Sequence, residues 1–257
     1  MASSRWSTFW RRTRSAFEDG SRKIIRMEGA DIPSRAPRLL YAFNTPTDVS
    51  EAVLGSDLDI GGQSTVGLTL DNSSTDESIG RPTAKFYGKL SLDVRPDLRG
   101  RINVGYAGFK TPVRSTLFGK MTDNAYFHDY LALRVRAAGD PILHDSFFVN
   151  VQTLDSMQHK SLWQSKLTIK RQDNDWETVY LPFSDFEFFT IGEDPPQREP
   201  IDKENILTVG ISVLGGRTSL TGPYELGVDS IWIANDEDVV PDSPGPNPFV
   251  HKPEDGL

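Results

Sequence analysis

The residue types that do chemistry are unevenly represented in this chain. Carboxylates are plentiful, and Asp57, Asp59, Asp71, Asp173, Asp175, Asp185, Glu187 and Asp229 fall in or beside its apolar runs. Two such groups facing each other across a cleft would make a glycosidase, one as acid and the other as base or nucleophile. Their placement in turns and at the polar positions of alternating segments points instead to solvated surface charge. Other chemistries are excluded outright. There is no cysteine, so there is no disulfide, thiolate zinc site or cysteine nucleophile. The histidines, His128, His144, His159 and His251, include no i, i+4 pair and no His-Glu-x-x-His, the spacing of a helical zinc site. Neither a Gly-x-Ser-x-Gly elbow nor a Gly-x-x-x-x-Gly-Lys-Ser/Thr phosphate loop occurs. Asp57-Leu-Asp59-Ile-Gly61-Gly62 has the outline of a calcium loop but lacks the third carboxylate and the distal Glu. Paired glycines there read better as a turn that needs positive φ and close backbone approach. The expectation is a protein that is not an enzyme, with no catalytic residue, cofactor or metal.

The elements that would position any site divide the chain by charge. The formal charge is −8, yet residues 1–27 carry seven basic and two acidic residues, a net +5, which leaves −13 on the remainder. An acidic body argues against a nucleic-acid partner. The basic start has helical periodicity, with Trp6, Phe9, Trp10, Phe17, Ile24 and Ile25 near one face and arginines opposite. Trp6, Phe9, Trp10, Arg11, Arg12 and Arg14 are therefore expected to serve as a mitochondrial targeting or membrane-surface arm. A helix docked on its own domain is the plainer alternative. Residues 28–38, with two prolines and a glycine, read as a linker.

From residue 39 to residue 234 the period becomes two. Val66, Leu68 and Leu70, then Phe86, Gly88 and Leu90, then Ile102, Val104 and Tyr106 mark inward faces. Leu131, Leu133 and Val135, then Phe147, Val149 and Val151, Val179 and Leu181, Val209, Ile211 and Val213, and Tyr224, Leu226 and Val228 continue the pattern. Short alternating runs bounded by Gly, Pro, Asn or Asp predict an all-β sandwich or barrel, with one face of each strand dry. Residues 235–257 are acidic and then proline-rich, an extended tail.

Two aromatic features bear on binding. Trp163, Trp176 and Trp232 lie in or beside strands, where they would fill the core or, if exposed, stack on sugar rings. Phe186, Phe188 and Phe189 make a dense apolar run, either closing the sandwich or exposed to a partner.

The order of the short motifs is more specific than any one of them. Asp59-Ile-Gly-Gly-Gln-Ser64, Phe86-Tyr-Gly-Lys-Leu-Ser91, Gly105-Tyr-Ala107 and Tyr130-Leu-Ala-Leu-Arg-Val-Arg136 come first. Trp176-Glu-Thr-Val-Tyr-Leu-Pro-Phe183, Ile206-Leu-Thr-Val-Gly-Ile211 and Gly222-Pro-Tyr-Glu-Leu226 follow, and the tail contains Asp242-Ser-Pro-Gly-Pro-Asn-Pro248. This succession resembles the thirty-kilodalton complex I intermediate-associated protein family. One departure is the turn after Arg136, which reads Ala-Ala-Gly-Asp140 where the family has Gly-Asp-Gly. The resemblance implies a galactose-binding-like β-sandwich (jelly roll) with no catalytic residues. It also implies a chaperone-like role in the mitochondrial matrix, peripheral to the inner membrane. The expected partners are membrane-arm subunits of complex I (NADH:ubiquinone oxidoreductase), other assembly factors and, through the arm, anionic lipid. Asp59, Ile60, Gly61, Gly62, Ser64, Phe186, Phe188 and Phe189 form the expected partner surface. The fold alone suggests one alternative, a sugar-binding protein of the carbohydrate-binding-module kind.

Overall fold

A computed structural model describes residues 34–72, 80–98, 104–117, 119–155, 161–171, 173–190, 199–215 and 219–239. The arm at 1–27, most of the linker, and the tail beyond residue 239 lie outside the described residues.

Among the described residues there are fourteen strands: β1 (Arg38–Ala42), β2 (Val53–Ser56), β3 (Thr65–Asp71), β4 (Thr83–Leu90), β5 (Tyr106–Lys110), β6 (Ser115–Thr116), β7 (Gly119–Lys120), β8 (Tyr130–Gly139), β9 (Phe147–Thr153), β10 (Ser161–Lys166), β11 (Glu177–Pro182), β12 (Glu187–Thr190), β13 (Ile206–Leu214) and β14 (Gly222–Ala234). Two six-stranded antiparallel sheets form the body. The first runs β11-β8-β14-β4-β3, with β1 also paired to β14, and the second runs β12-β10-β9-β13-β5-β2. Strands β6 and β7 form a separate hairpin. This is the expected all-β sandwich.

Inward side chains of both sheets interdigitate in one core. Phe86 sits at its centre, with ring centroids 5.0 Å from Phe109, 5.1 Å from Tyr224 and 6.4 Å from Phe147. Burial pushes the Tyr224 pKa up, so its hydroxyl stays protonated and donates to the Thr65 carbonyl at 2.9 Å. Alternation is clean in β9, where Phe147, Val149, Val151 and Thr153 are buried and the residues between them are half-buried.

Strand β14 departs from strict alternation. Its inward residues are Tyr224, Leu226 and Val228, then Ile231 and Ile233, so parity changes at Asp229. The register against β8 shifts there, a bulge that leaves Asp229 outside the ladder. It is also where the other edge changes partner: residues 222–228 pair with β4 and residues 230–233 with β1. The Asp229 carboxylate, fully buried, accepts two hydrogen bonds from the Arg81 guanidinium at 3.0 and 2.7 Å. It also accepts from Asn44 Nδ2 at 2.9 Å and Ser230 Oγ at 2.8 Å. Burial opposes the charged form, but Arg81 and Asn44 outweigh it and hold the carboxyl below the ordinary aspartate value.

Three expectations need correcting. Of the strand expected at Ile102–Tyr106, Ile102 lies outside the described residues; Val104 precedes β5, which starts at Tyr106 with Ala107 and Phe109 inward. Strands β8 and β14 are buried on both faces, because Ala132, Trp232 and Ala234 form a second small cluster against Tyr180. The linker reading stops short, since β1 begins at Arg38 and Arg35 is tied by its carbonyl to Asn235 Nδ2 at 2.6 Å. A short helix, α1 (Pro46–Glu51), was not anticipated. Its signal was present: Thr45 and Asp48 form a reciprocal capping box, with proline in the first turn.

Truncating Phe86 to alanine should cost about 3–5 kcal/mol, read from urea denaturation, whereas Tyr87→Ala, at an exposed ring, should change stability by no more than about 0.5 kcal/mol. Arg81→Met should cost about 3 kcal/mol at neutral pH by leaving Asp229 buried without its cation. Because the native Asp229 pKa is lowered, the pair stabilises fully above the unfolded-state value of about 3.9. That stabilisation fades below it, so the gap between wild type and Arg81→Met should close in acid.

Candidate functional site

The glycine signature is built around a second buried carboxylate. Ser56 accepts from Leu58 N and starts a 3₁₀ turn over Asp57–Ile60, closed by Gly61 at φ +104°. That φ is strained for any residue with a Cβ. Asp57 is fully buried. One oxygen of its carboxylate accepts from Ser64 N at 2.8 Å, and the other from Ser64 Oγ at 2.9 Å and Gly105 N at 2.5 Å. Ser64 Oγ also lies 3.1 Å from the Ser91 carbonyl oxygen and accepts from Ser91 N at 3.1 Å. A Cβ on Gly62 would collide with the Asp57 carboxyl group, and one on Gly61 with Leu98. The motif therefore ties the β2–β3 loop to the end of β4 and the start of β5. It is not a calcium loop, because backbone and hydroxyl donors occupy the Asp57 oxygens while Asp59 points to solvent.

Of the expected partner surface in this loop, Asp59 and Ile60 are exposed, Gly61 is half-buried, and Gly62 and Ser64 are interior. The turn adds a residue that sequence reasoning missed, Leu58, at 59% exposure. Beside it, β2 exposes Val53 at 50% and Leu54 at 43%. The missed signal was a cluster of aliphatics in a short segment with no inward alternation.

The phenylalanine run divides similarly. Phe186 is buried and Phe188 packs on the core, with its ring 4.9 Å from Trp163. Phe186 is turned inward from the 3₁₀ turn before β12, and Phe188 by strand alternation, so both face the core rather than the surface. Phe189, opposite Leu162 in the ladder, lines a groove of about 740 Å³ between β10–β12 and β11, together with Tyr130, Phe148 and Tyr180. Asp185 and Glu187 share that groove. On the facing wall the carboxylate of Glu177 is held by Lys170 N and Arg171 N at 3.1 and 2.9 Å.

The outer face of the second sheet carries a polar ladder. Gln164 Nε2 donates to Asn150 Oδ1 at 2.7 Å, and Asn150 Nδ2 to Ser212 Oγ at 2.9 Å. Lys110 Nζ and Thr208 Oγ1 both donate to Gln152 Oε1, at 3.0 and 3.3 Å. These groups satisfy one another across strands. No tryptophan joins them: Trp163, Trp176 and Trp232 are all buried, and Arg136 lies over the Trp176 ring at 5.3 Å. Elsewhere, Leu117, Met121, Tyr126 and Phe127 are exposed around the β6–β7 hairpin and the turn after it. Trp6, Phe9, Trp10, Arg11, Arg12 and Arg14 lie outside the described residues. Among the described residues, no three His, Asp or Glu side chains gather as metal ligands, and no helix is long and apolar enough to cross a membrane.

These features define an all-β sandwich whose signature residues lock loops and whose exposed apolar groups lie at the β2 edge with its following turn and around the β6–β7 hairpin. The sequence pattern described as complex I intermediate-associated protein 30 matches residues 41–228, and the chain belongs to that family. It is 30% identical over 249 residues to the Neurospora crassa protein "Complex I intermediate-associated protein 30, mitochondrial", covering 91% of this chain and 86% of that one. The mouse protein of the same name is 26% identical over 201 residues, 77% of this chain and 56% of its own length. Among solved structures, the family 11 carbohydrate-binding module of a Clostridium thermocellum cellulosomal cellulase shares 15% identity at a TM-score of 0.49. The match covers 79% of this chain and 96% of the module.

Gly62→Ala should destabilise the sandwich by about 1–3 kcal/mol through overpacking. Ile60→Asp, on the exposed side of the same turn, should stay within about 0.5 kcal/mol of wild type. Urea midpoints of the two variants check the separation of structural from surface positions.

Proposed function

We propose that this chain is a non-catalytic assembly factor that holds a membrane-arm intermediate of mitochondrial complex I while it is built. The observation that supports this reading is the family match across the sandwich, from residue 41 to residue 228, joined to the mitochondrial names of its relatives. The site chemistry agrees. The buried carboxylates Asp57 and Asp229 are saturated by structural donors, and what the surface offers is apolar contact at Leu58, Ile60 and Phe189. The acidic body suits basic loops of partner subunits. The basic start then serves either to direct the chain to mitochondria or to rest it on anionic lipid in the matrix, through Arg11, Arg12 and Arg14 with Trp6, Phe9 and Trp10 at the interface. The alternative, a sugar-binding module, loses its simplest support with all three strand tryptophans in the interior.

Tagged chain purified from mitochondria should carry membrane-arm subunits of complex I, detected by immunoblot. Phe189→Asp should lower that recovery without changing the melting temperature. Recovery of no complex I subunit would reject the assembly reading. Flotation with anionic liposomes should need residues 1–27; equal flotation without them would remove the lipid role of the arm.

A further inference from the structure

We infer that β2 is a docking edge: an extended, apolar segment of the assembling partner, flanked by basic residues, adds to it as a seventh strand of the second sheet. This rests on the assembly reading above and names how the partner is held. Strand β2 closes the sheet at one side, and among the described residues its only ladder is with β5, from Val53 opposite Lys110 to Ser56 opposite Ala107. An edge strand presents a row of backbone N–H and C=O groups that another chain can pair with. Protective devices at such edges are charged side chains, proline and bulges. Strand β2, Val53-Leu-Gly-Ser56, has no charge and no proline, and its pairing with β5 is unbroken.

The side chains ask for the same occupant. Val53 projects with Lys110 on the outer face and Leu54 with Phe109 on the inner one, yet both are exposed at the rim. Leu58 and Ile60 of the following turn extend the apolar strip, at 59% and 43% exposure. Isolated exposed aliphatics are ordinary, whereas a contiguous group beside an open backbone row marks an interaction site. A Cβ at Gly55 would meet nothing within 4 Å, so the sheet face is open at mid-strand. The Asp57 lock holds the turn rigid against β3, β4 and β5, so the edge needs no ordering on binding. Acidic groups outnumber basic ones around it: Glu51 precedes the strand, Asp59 lies between the two exposed aliphatics and Asp97 follows nearby, against Lys110 opposite Val53 and Arg95, which lies 3.9 Å from Asp97. That sign selects basic flanks on the incoming segment. The opposite edges of both sheets are different in kind. Glu187 lies on β12, and β11 carries Thr178 and ends at Pro182.

The test is hydrogen–deuterium exchange on residues 53–60 of the full chain, free and in the affinity-purified assembly intermediate. Pairing should slow the outward-facing β2 amides by about tenfold or more in the complex. In parallel, Val53→Lys combined with Leu54→Lys places charges on an edge that is already exposed. This variant should melt like wild type yet recover about tenfold less intermediate, a loss a strand-pairing contact of moderate strength would give. The control, Tyr126→Lys on the remote exposed turn, should recover a normal amount. If the intermediate co-purifies but β2 exchanges as in the free chain, the docking edge is wrong and the assembly reading stands. If wild type recovers no complex I subunit, both fall. If β2 is protected in the free chain in proportion to its concentration, with a doubled mass, the edge pairs with a second copy and the inference is overturned.

Discussion

At Asp229 the longest strand changes neighbours. Before it, β14 pairs with β4; after it, with β1; and on the far side β8 runs past both. A bulge makes the change possible, and a buried charge makes it specific. The extra residue turns a carboxylate inward, where Arg81 from the lead-in to β4 and Asn44 from the loop after β1 both reach it. One anion thus fastens the two segments that share the same edge of β14. A buried carboxylate left unpaired would be costly, so alternative registers of β1 or β4 are penalised. The parity of the inward residues on either side of the bulge follows from this single position.

Asp57 solves the same problem at the other sheet. A loop must turn tightly between β2 at the edge of one sheet and β3 at the edge of the other, and its carboxylate gathers the N–H groups that the turn leaves without partners. The two glycines are required by this gathering: one for a left-handed backbone, the other because the carboxyl group occupies the space of a side chain. Motif residues that look functional in a row of letters are here internal braces. The residues between them, Leu58, Asp59 and Ile60, are exposed.

This division bears on the proposed holding role. Its core is conventional, with aromatic rings in edge-to-face contact. Its sheet face is a self-satisfied polar ladder, whereas the rim exposes aliphatic side chains, the surface the proposed role would use. A rigid rim gives contact without chemistry, and the acidic body gives it a sign preference.

The all-β class, the inward residues of β9, β11 and β13, and the family were legible in the sequence, because strand alternation and ordered motifs are local properties of neighbouring residues. The capping box of α1 was equally local, in Thr45 and Asp48. The roles of Asp57 and Asp229 were not. As letters they matched the surface aspartates Asp173 and Asp175, and only their partners distinguish them: Arg81 is 148 positions from Asp229, and Gly105 is 48 from Asp57. The same holds for the phenylalanines, where one step along β12 separates Phe188 in the core from Phe189 in the groove. The sequence by itself determined which segments would be strands and which faces would be apolar. Only the tertiary structure decided which charges would be buried and which strand would lie at the edge, because burial and edge position are set by contacts between segments far apart in the chain.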